Sequence, residues 1–243
     1  MIIQFGSERT IEQRLAEVDW LSVEDEIDCY GYSKVSQLLT PTECEDLISL
    51  YNQPARFRST VNMQRVGFGQ GEYKYFANPL PTVVQNLRAS TYPFLVDIAN
   101  RWMKELSLSV QYESDFDRFI ERCSKRGQLK PTPLMLRYET GGYNNLHQDI
   151  YGPIMFPLQM TLALSCIGKD YEGGEFLILE QQPRSQWKGS SITLSQGEGI
   201  IFATRDRPIV GNNGYNKVNL RHGVSRLLSG TRYTLGIIFH NAE

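Results

Sequence analysis

Histidine is scarce in this chain of 243 residues: only His147, His222 and His240 occur. A metal site that uses imidazoles has three at most to draw on. Four cysteines, Cys29, Cys44, Cys123 and Cys166, are scattered with no Cys-x-x-Cys pair. That spacing excludes a zinc ribbon and a thioredoxin-type motif. Reduced structural thiols are the simpler reading, and they point to the cytoplasm. No run of about 18 apolar residues is present, so no membrane span is expected. The opening MIIQFGSERTIEQRL meets acid and arginine too soon for a secretory leader. Net charge is also small, at -2, which argues against a general polyanion binder. Its distribution is uneven: residues 1–50 carry 11 acids and 3 bases, and the rest of the chain 16 acids and 22 bases.

The front half reads as helical. Residues 7–30 look helical at first, then irregular and acidic. LTPTECEDLISLY has a capping box, with Thr40 at the N-cap, Pro41 at N1 and Glu43 at N3. YPFLVDIANRWMKEL is amphipathic at helical spacing, and SDFDRFIERCSKRG reads as a helix closed by Gly127. Residues 56–78 carry three glycines and read as short strands or an ordered loop. After residue 131 come short strand-like runs such as PLMLRYE, FPLQMTLALSCI, GEFLILEQ, GIIFATR and TRYTLGIIFH, separated by turn residues. The expectation is an α+β fold in one domain over residues 1–243. Residues 1–130 give helical support with a basic-aromatic loop, and residues 131–243 a β-core of sandwich or barrel type.

The stretch NNLHQDIYG sets His147 two positions before Asp149. Side chains at i and i+2 share a face of a strand, so the two converge if LHQD ends one. His222, in NLRHGVSR, adds a second imidazole from another strand-like run. Two imidazoles and a carboxylate form the facial triad of non-heme Fe(II), which leaves positions open for oxygen and substrates. Arg232 follows ten residues after His222, with LLSG read as a turn between adjacent antiparallel strands. A guanidinium beside such a metal suits the far end of a chelating dicarboxylate. His240 reads as structural.

These residues resemble the 2-oxoglutarate/Fe(II)-dependent oxygenases, whose core is a double-stranded β-helix (jelly roll). YETGGYNNLHQD, DYEGGEF and RHGVSRLLSGTRYTLGIIF look like the prolyl-hydroxylase-type branch. Nearly the whole chain resembles the bacterial Oxygenase-NA family, through FGQGEYKYF, PTPLMLRY, LHQDIYG, FPLQM and NLRHGVSR. The resemblance implies a dioxygenase in which His147, Asp149 and His222 bind Fe(II), 2-oxoglutarate chelates the metal, Arg232 anchors its far carboxylate, and O2 is the oxidant. It also implies a cosubstrate contact from the Tyr138 hydroxyl. The family is associated with oxidative demethylation of damaged DNA, which implies C–H hydroxylation of a methylated nucleobase. A peptidyl (prolyl-type) or small-molecule hydroxylase is the alternative, favoured by the ten-residue spacing of Arg232. A metal-binding β-core without turnover is a third reading.

Residues 56–76 bear the local case for nucleic acid. Arg58, Arg65 and Lys74 can meet phosphates, while Tyr73 and Tyr75 can stack on a base. Arg226, near His222, is a further candidate for anionic contacts. The plainer reading is a β-element whose arginines snorkel along an aromatic edge.

Overall fold

The computed structural model describes residues 9–181 and 185–243. The expectation drawn from residues 1–8 lies outside them. Among the described residues, five α-helices all precede residue 126: α1 (Ile11–Ala16), α2 (Trp20–Tyr30), α3 (Pro41–Leu50), α4 (Thr82–Glu105) and α5 (Phe116–Lys125). Four strands are interleaved with them: β1 (Tyr32–Val35), β2 (Phe57–Asn62), β3 (Gly69–Gln70) and β4 (Glu72–Phe76). The second half is all β. It runs through β5 (Leu134–Glu139), β6 (Tyr143–His147), β7 (Leu158–Ala163), β8 (Tyr171–Gly173) and β9 (Phe176–Gln181). It continues with β10 (Trp187–Ile192), β11 (Gly199–Ala203), β12 (Asp206–Gly211), β13 (Gly214–Val224) and β14 (Leu227–Ile238).

Local chemistry accounts for the helix ends. Glu43 N donates to Thr40 Oγ1 at 3.2 Å, and Thr40 N donates to the Glu43 carboxylate at 2.8 Å, so the capping box forms reciprocally. Arg14 of α1 grips the same carboxylate at 2.8 and 2.7 Å, tying α1 to α3. The acidic stretch expected to be irregular is α2. Asp19 caps it through Ser22 N, and Gly31 ends it in the left-handed region at φ 80°. Its acids are answered from α4, where Arg101 holds Glu24 at 2.9 Å and Asp28 at 2.7 Å.

Two antiparallel sheets form the core. The larger runs β1-β11-β7-β14-β5-β4-β2, with β8 beside β14; the smaller runs β10-β9-β13-β6-β3, with β12 beside β13. α4 buries Leu87, Leu95, Ile98, Ala99 and Trp102 in the main apolar core. Arg88, on the same helix, is buried and donates to the carbonyls of Ile238 and Phe239 and to Asn241 Oδ1.

Two sequence readings are corrected. Residues 56–76 take the short-strand form rather than that of a basic-aromatic loop: β2 pairs with β4 and β4 with β5 in the larger sheet, while β3 pairs with β6 in the smaller. LLSG is no turn between neighbouring strands either. It lies inside β14 and pairs with β8, while the chain reverses at Ser225 and Arg226. His222 and Arg232 therefore stand in opposite sheets and meet across the space between them.

Candidate metal and cosubstrate site

His147 ends β6 and is the direct antiparallel partner of His222 on β13. Directly opposed residues project to one face, which brings the rings to a centroid distance of 4.2 Å. The close approach depends on Gly223, where a Cβ would meet the Asn144 carbonyl oxygen at 2.7 Å. Asp149 lies just beyond the strand end and completes the cluster. Its Oδ1 is 3.6 Å from His147 Nε2 and its Oδ2 is 3.3 Å from His222 Nε2.

The polar partners orient these groups. His147 Nδ1–H donates to the Asn145 carbonyl at 2.7 Å, leaving Nε2 as the lone-pair nitrogen facing Asp149. Tyr151 donates its hydroxyl to Asp149 Oδ1 at 2.7 Å. Burial pushes the Asp149 carboxyl up, but His222, His147 and the Tyr151 hydroxyl outweigh it and hold the acid well below the usual range. Burial, then the nearby His222, lowers the His147 imidazole, keeping it neutral and able to ligate. Phe202 and Phe176 pack on the His222 ring, at centroid distances of 4.8 and 5.8 Å.

The donor set fits a divalent ion. Among the described residues, His147, Asp149 and His222 are the one group whose ligand atoms lie within 4.8 Å of one another. Three protein ligands on one side leave the other coordination positions open, as an oxygen-activating ferrous site requires.

A cavity opens beside the triad, lined from both sheets. Arg232 projects into it from β14, opposite Tyr138 on β5 in register. Arg232 is only 2% exposed, yet its Nε and Nη1 are buried without hydrogen-bond partners. Charged donors left without partners in a pocket are stabilised when an anion supplies acceptors. Tyr138 is fully buried, and its hydroxyl accepts a 3.3 Å hydrogen bond from Asn144 Nδ2. Burial pushes that phenol up to about 12, so it stays protonated.

The basic-aromatic residues divide. Tyr73 and Tyr75 line the cavity, together with Phe68. Lys74 occupies the opposite face of β4; its Nζ donates to the Tyr51 carbonyl at 2.9 Å and lies 3.5 Å from Glu72. Lys74, expected to meet phosphates beside Tyr73 and Tyr75, therefore does not share the cavity with them. Arg58 is exposed at the rim, with its guanidinium 4.5 Å from the Tyr75 ring centroid and Nε donating to the Pro131 carbonyl. Arg65, on a one-turn helix, and Arg226, at the β13–β14 reversal, are exposed and do not line the cavity.

Two residues missed by the sequence reading serve the triad. Tyr151 was findable by the same i+2 logic that linked His147 to Asp149. Gln128 carried no local signal. It is fully buried and its amide braces the loop after Asp149: Nε2 donates to the carbonyls of Tyr151, Ile154 and Asn241, and Oε1 accepts from Ile154 N at 2.8 Å. His240 lies outside the cavity lining; its Nδ1 accepts from Phe156 N at 3.1 Å.

Comparison with known proteins agrees with this geometry. Residues 71–242 match the model of the Oxygenase-NA family, described as "Oxygenase, catalysing oxidative methylation of damaged DNA". An uncharacterized protein of Mycobacterium tuberculosis is 43% identical over 167 residues, which cover 69% of this chain and 72% of the relative. A prolyl-4-hydroxylase from Pseudomonas putida superposes with a TM-score of 0.54 at 13% identity, covering 89% of this chain and 96% of that one. An oxidoreductase of the 2OG-Fe(II) oxygenase family from Burkholderia pseudomallei gives 0.55 at 14% identity, covering 93% and 94%. A Trichoplax adhaerens prolyl hydroxylase, in complex with a hypoxia inducible factor oxygen degradation domain peptide fragment, gives 0.55 at 14% identity, covering 95% and 92%. These structures share the jelly-roll fold with this chain. A His–Asp–His set on that fold goes with Fe(II), 2-oxoglutarate and O2. The chain belongs to the Oxygenase-NA family and is a dioxygenase built on the 2-oxoglutarate/Fe(II) oxygenase fold.

Proposed function

We propose that this dioxygenase hydroxylates the C–H bond of an N-methyl group on a damaged nucleobase. The observation that carries the chemistry is the pairing, in one cavity, of the His147–Asp149–His222 cluster with the buried and unpartnered Arg232 guanidinium. Such a pairing suits a ligand that chelates a metal at one end and is a carboxylate at the other. 2-Oxoglutarate meets both demands.

His147, Asp149 and His222 would hold the ion, and Tyr151 would keep the Asp149 carboxylate turned toward it. Arg232 would take the far carboxylate of the cosubstrate through a bidentate contact. Tyr138 would donate its hydroxyl to the same group. Bound iron, with 2-oxoglutarate and O2, supplies the oxidising power: succinate and carbon dioxide form, and one oxygen atom enters a substrate C–H bond. Leu134, Leu136 and Ile238 exclude water from the reacting centre. An N-methyl group hydroxylated in this way releases formaldehyde and restores the base.

Two features support a nucleobase as the prime substrate. The family is described by its action on damaged DNA. Phe68, Tyr73, Tyr75 and Tyr151 give the cavity an aromatic wall suited to a flat ring, and Arg58 sets a positive charge at its rim. The ten-residue step from His222 to Arg232 favours the second reading, a peptidyl hydroxylase of the prolyl type.

The test is product analysis. Iron-loaded protein is incubated with 2-oxoglutarate and single-stranded oligonucleotides bearing N-methylated bases, or with a peptide panel. Succinate coupled to loss of one methylene from an oligonucleotide is the expected result. Gain of one oxygen by a peptide, with all oligonucleotides untouched, selects the second reading. No succinate under any condition refutes the dioxygenase assignment of the site.

A further inference from the structure

The cavity runs along β14. Arg232 stands at one end, and Thr234, Gly236 and Ile238 follow on the same face. At about 3.4 Å per residue, Ile238 lies roughly 20 Å along the strand from Arg232. A five-carbon diacid anchored at Arg232 and touching the metal spans well under half of that length. The far stretch is walled by Tyr75, Leu134, Ile238 and Tyr151, which pack together. The hydroxyl of Tyr151 reaches Asp149, so this stretch adjoins the triad on its carboxylate side.

Gln159, on β7, is the direct antiparallel partner of Ile238. Its side chain lines the cavity and the residue is only 2% exposed. Its Nε2 is buried with no hydrogen-bond partner. The residues packed at this end, Tyr75, Leu134, Tyr151 and Ile238, are aromatic or apolar, Thr161 stands two residues along β7, and none of them accepts from the amide N–H. A buried donor held in this state is stabilised once a ligand brings an acceptor to it.

We propose that Gln159 is a specificity residue: its amide donates to a carbonyl oxygen beside the methylated nitrogen of the substrate base. This rests on the nucleobase reading above. Aromatic walls accept any flat ring, and a lone amide donor selects among rings by what flanks the reacting methyl group. In 3-methylthymine the methylated nitrogen lies between two carbonyls. In 1-methyladenine neither neighbouring position carries one. The site therefore takes methylated pyrimidines with a flanking carbonyl in preference to methylated adenine.

The test measures kcat/KM on single-stranded oligonucleotides carrying one or the other base, using iron-loaded wild type, Gln159→Leu and Gln159→Glu. A ratio taken on one preparation does not depend on how much of it is folded. Wild type should favour 3-methylthymine by at least about tenfold, as a site built around a substrate hydrogen bond discriminates. Gln159→Leu should bring the two substrates to parity. Gln159→Glu should invert the order, because a carboxylate repels the carbonyl. A wild type that prefers 1-methyladenine, or variants that keep the wild-type ratio, overturns the role of Gln159 and leaves the nucleobase reading intact. A wild type that turns over neither oligonucleotide removes the nucleobase reading, and the role of Gln159 falls with it.

Discussion

Replacing Arg232 with methionine should make the ligand-free protein more stable while crippling its use of 2-oxoglutarate. Arg232 is 2% exposed, with Nε and Nη1 orphaned, and among the described residues no carboxylate lies within ion-pair distance of it. A desolvated charge without a partner costs several kcal/mol, and apolar replacement of buried ionic groups gains about 1–4 kcal/mol. For a chain of this size, each kcal/mol moves the melting point by about 2–4 °C. Methionine fills the space of the arginine stem and carries no charge. The same change removes a bidentate, charge-assisted contact worth about 2–3 kcal/mol, which weakens 2-oxoglutarate binding roughly 30- to 150-fold. Thermal melts with Mn(II) in place of iron, with and without 2-oxoglutarate, read both effects. At a ligand concentration one hundred times the wild-type Kd, wild type gains about 2.7 kcal/mol from the ligand. The variant should gain only about 0.3–0.9 kcal/mol at that concentration. A ligand-free variant that melts lower than wild type would show that the guanidinium is satisfied inside the protein. A variant that keeps the full ligand-induced gain would show that another cation holds the far carboxylate.

Tyr151→Phe deletes the hydroxyl on Asp149 Oδ1 and should weaken Fe(II) or Mn(II) binding about 10- to 100-fold, read by metal titration; unchanged affinity would assign the tyrosine to packing alone. Gln128→Glu turns a donor toward the Tyr151 and Ile154 carbonyls into an acceptor and should destabilise the protein by about 1–3 kcal/mol per orphaned group, with metal affinity falling in parallel. A drop in stability with metal affinity intact would uncouple the brace from the triad. Burial, reinforced by Arg88, lowers the His240 imidazole to about 3. The unfolded chain binds that proton near about 6.5, so between these values the unfolded state holds more protons and stability falls on acidification, by up to about 1.4 kcal/mol per pH unit. His240→Gln keeps an acceptor for Phe156 N, and urea melts between about pH 7 and 4 should show a flatter acid limb than wild type; parallel limbs would contradict the buried neutral state.

The triad and Arg232 were legible because metal chemistry restricts residue type and spacing so tightly, and the scarcity of histidine narrowed the choice further. Thr40 and Glu43 announced a helix start because capping is local. The acidic α2 was misread because its stabilising partner, Arg101, is more than seventy residues away in sequence. LLSG misled for a different reason. Gly230, at φ 79°, serves an irregular pairing with β8, where a Cβ would meet the Asp170 carbonyl oxygen at 2.0 Å. Turn chemistry was present in the sequence but is used inside a strand. Lys74 could have been separated from Tyr73 and Tyr75 by the two-residue alternation of a strand, though alternation alone does not say which face looks inward. Gln128 was beyond reach, since the carbonyls it grips belong to segments 23 to 113 residues away.

The Gln128 brace also sets an order of assembly for the candidate metal site. The three candidate ligands are all synthesised by residue 222, yet the loop behind Asp149 takes one of its handholds from the Asn241 carbonyl, and Arg88 locks the same tail through Asn241 Oδ1. A ribosome-bound chain still waiting for its last strand would own every ligand and lack the scaffold that aims one of them. The scaffold that aims Asp149 therefore closes only once the segment around Asn241 has folded back onto Gln128.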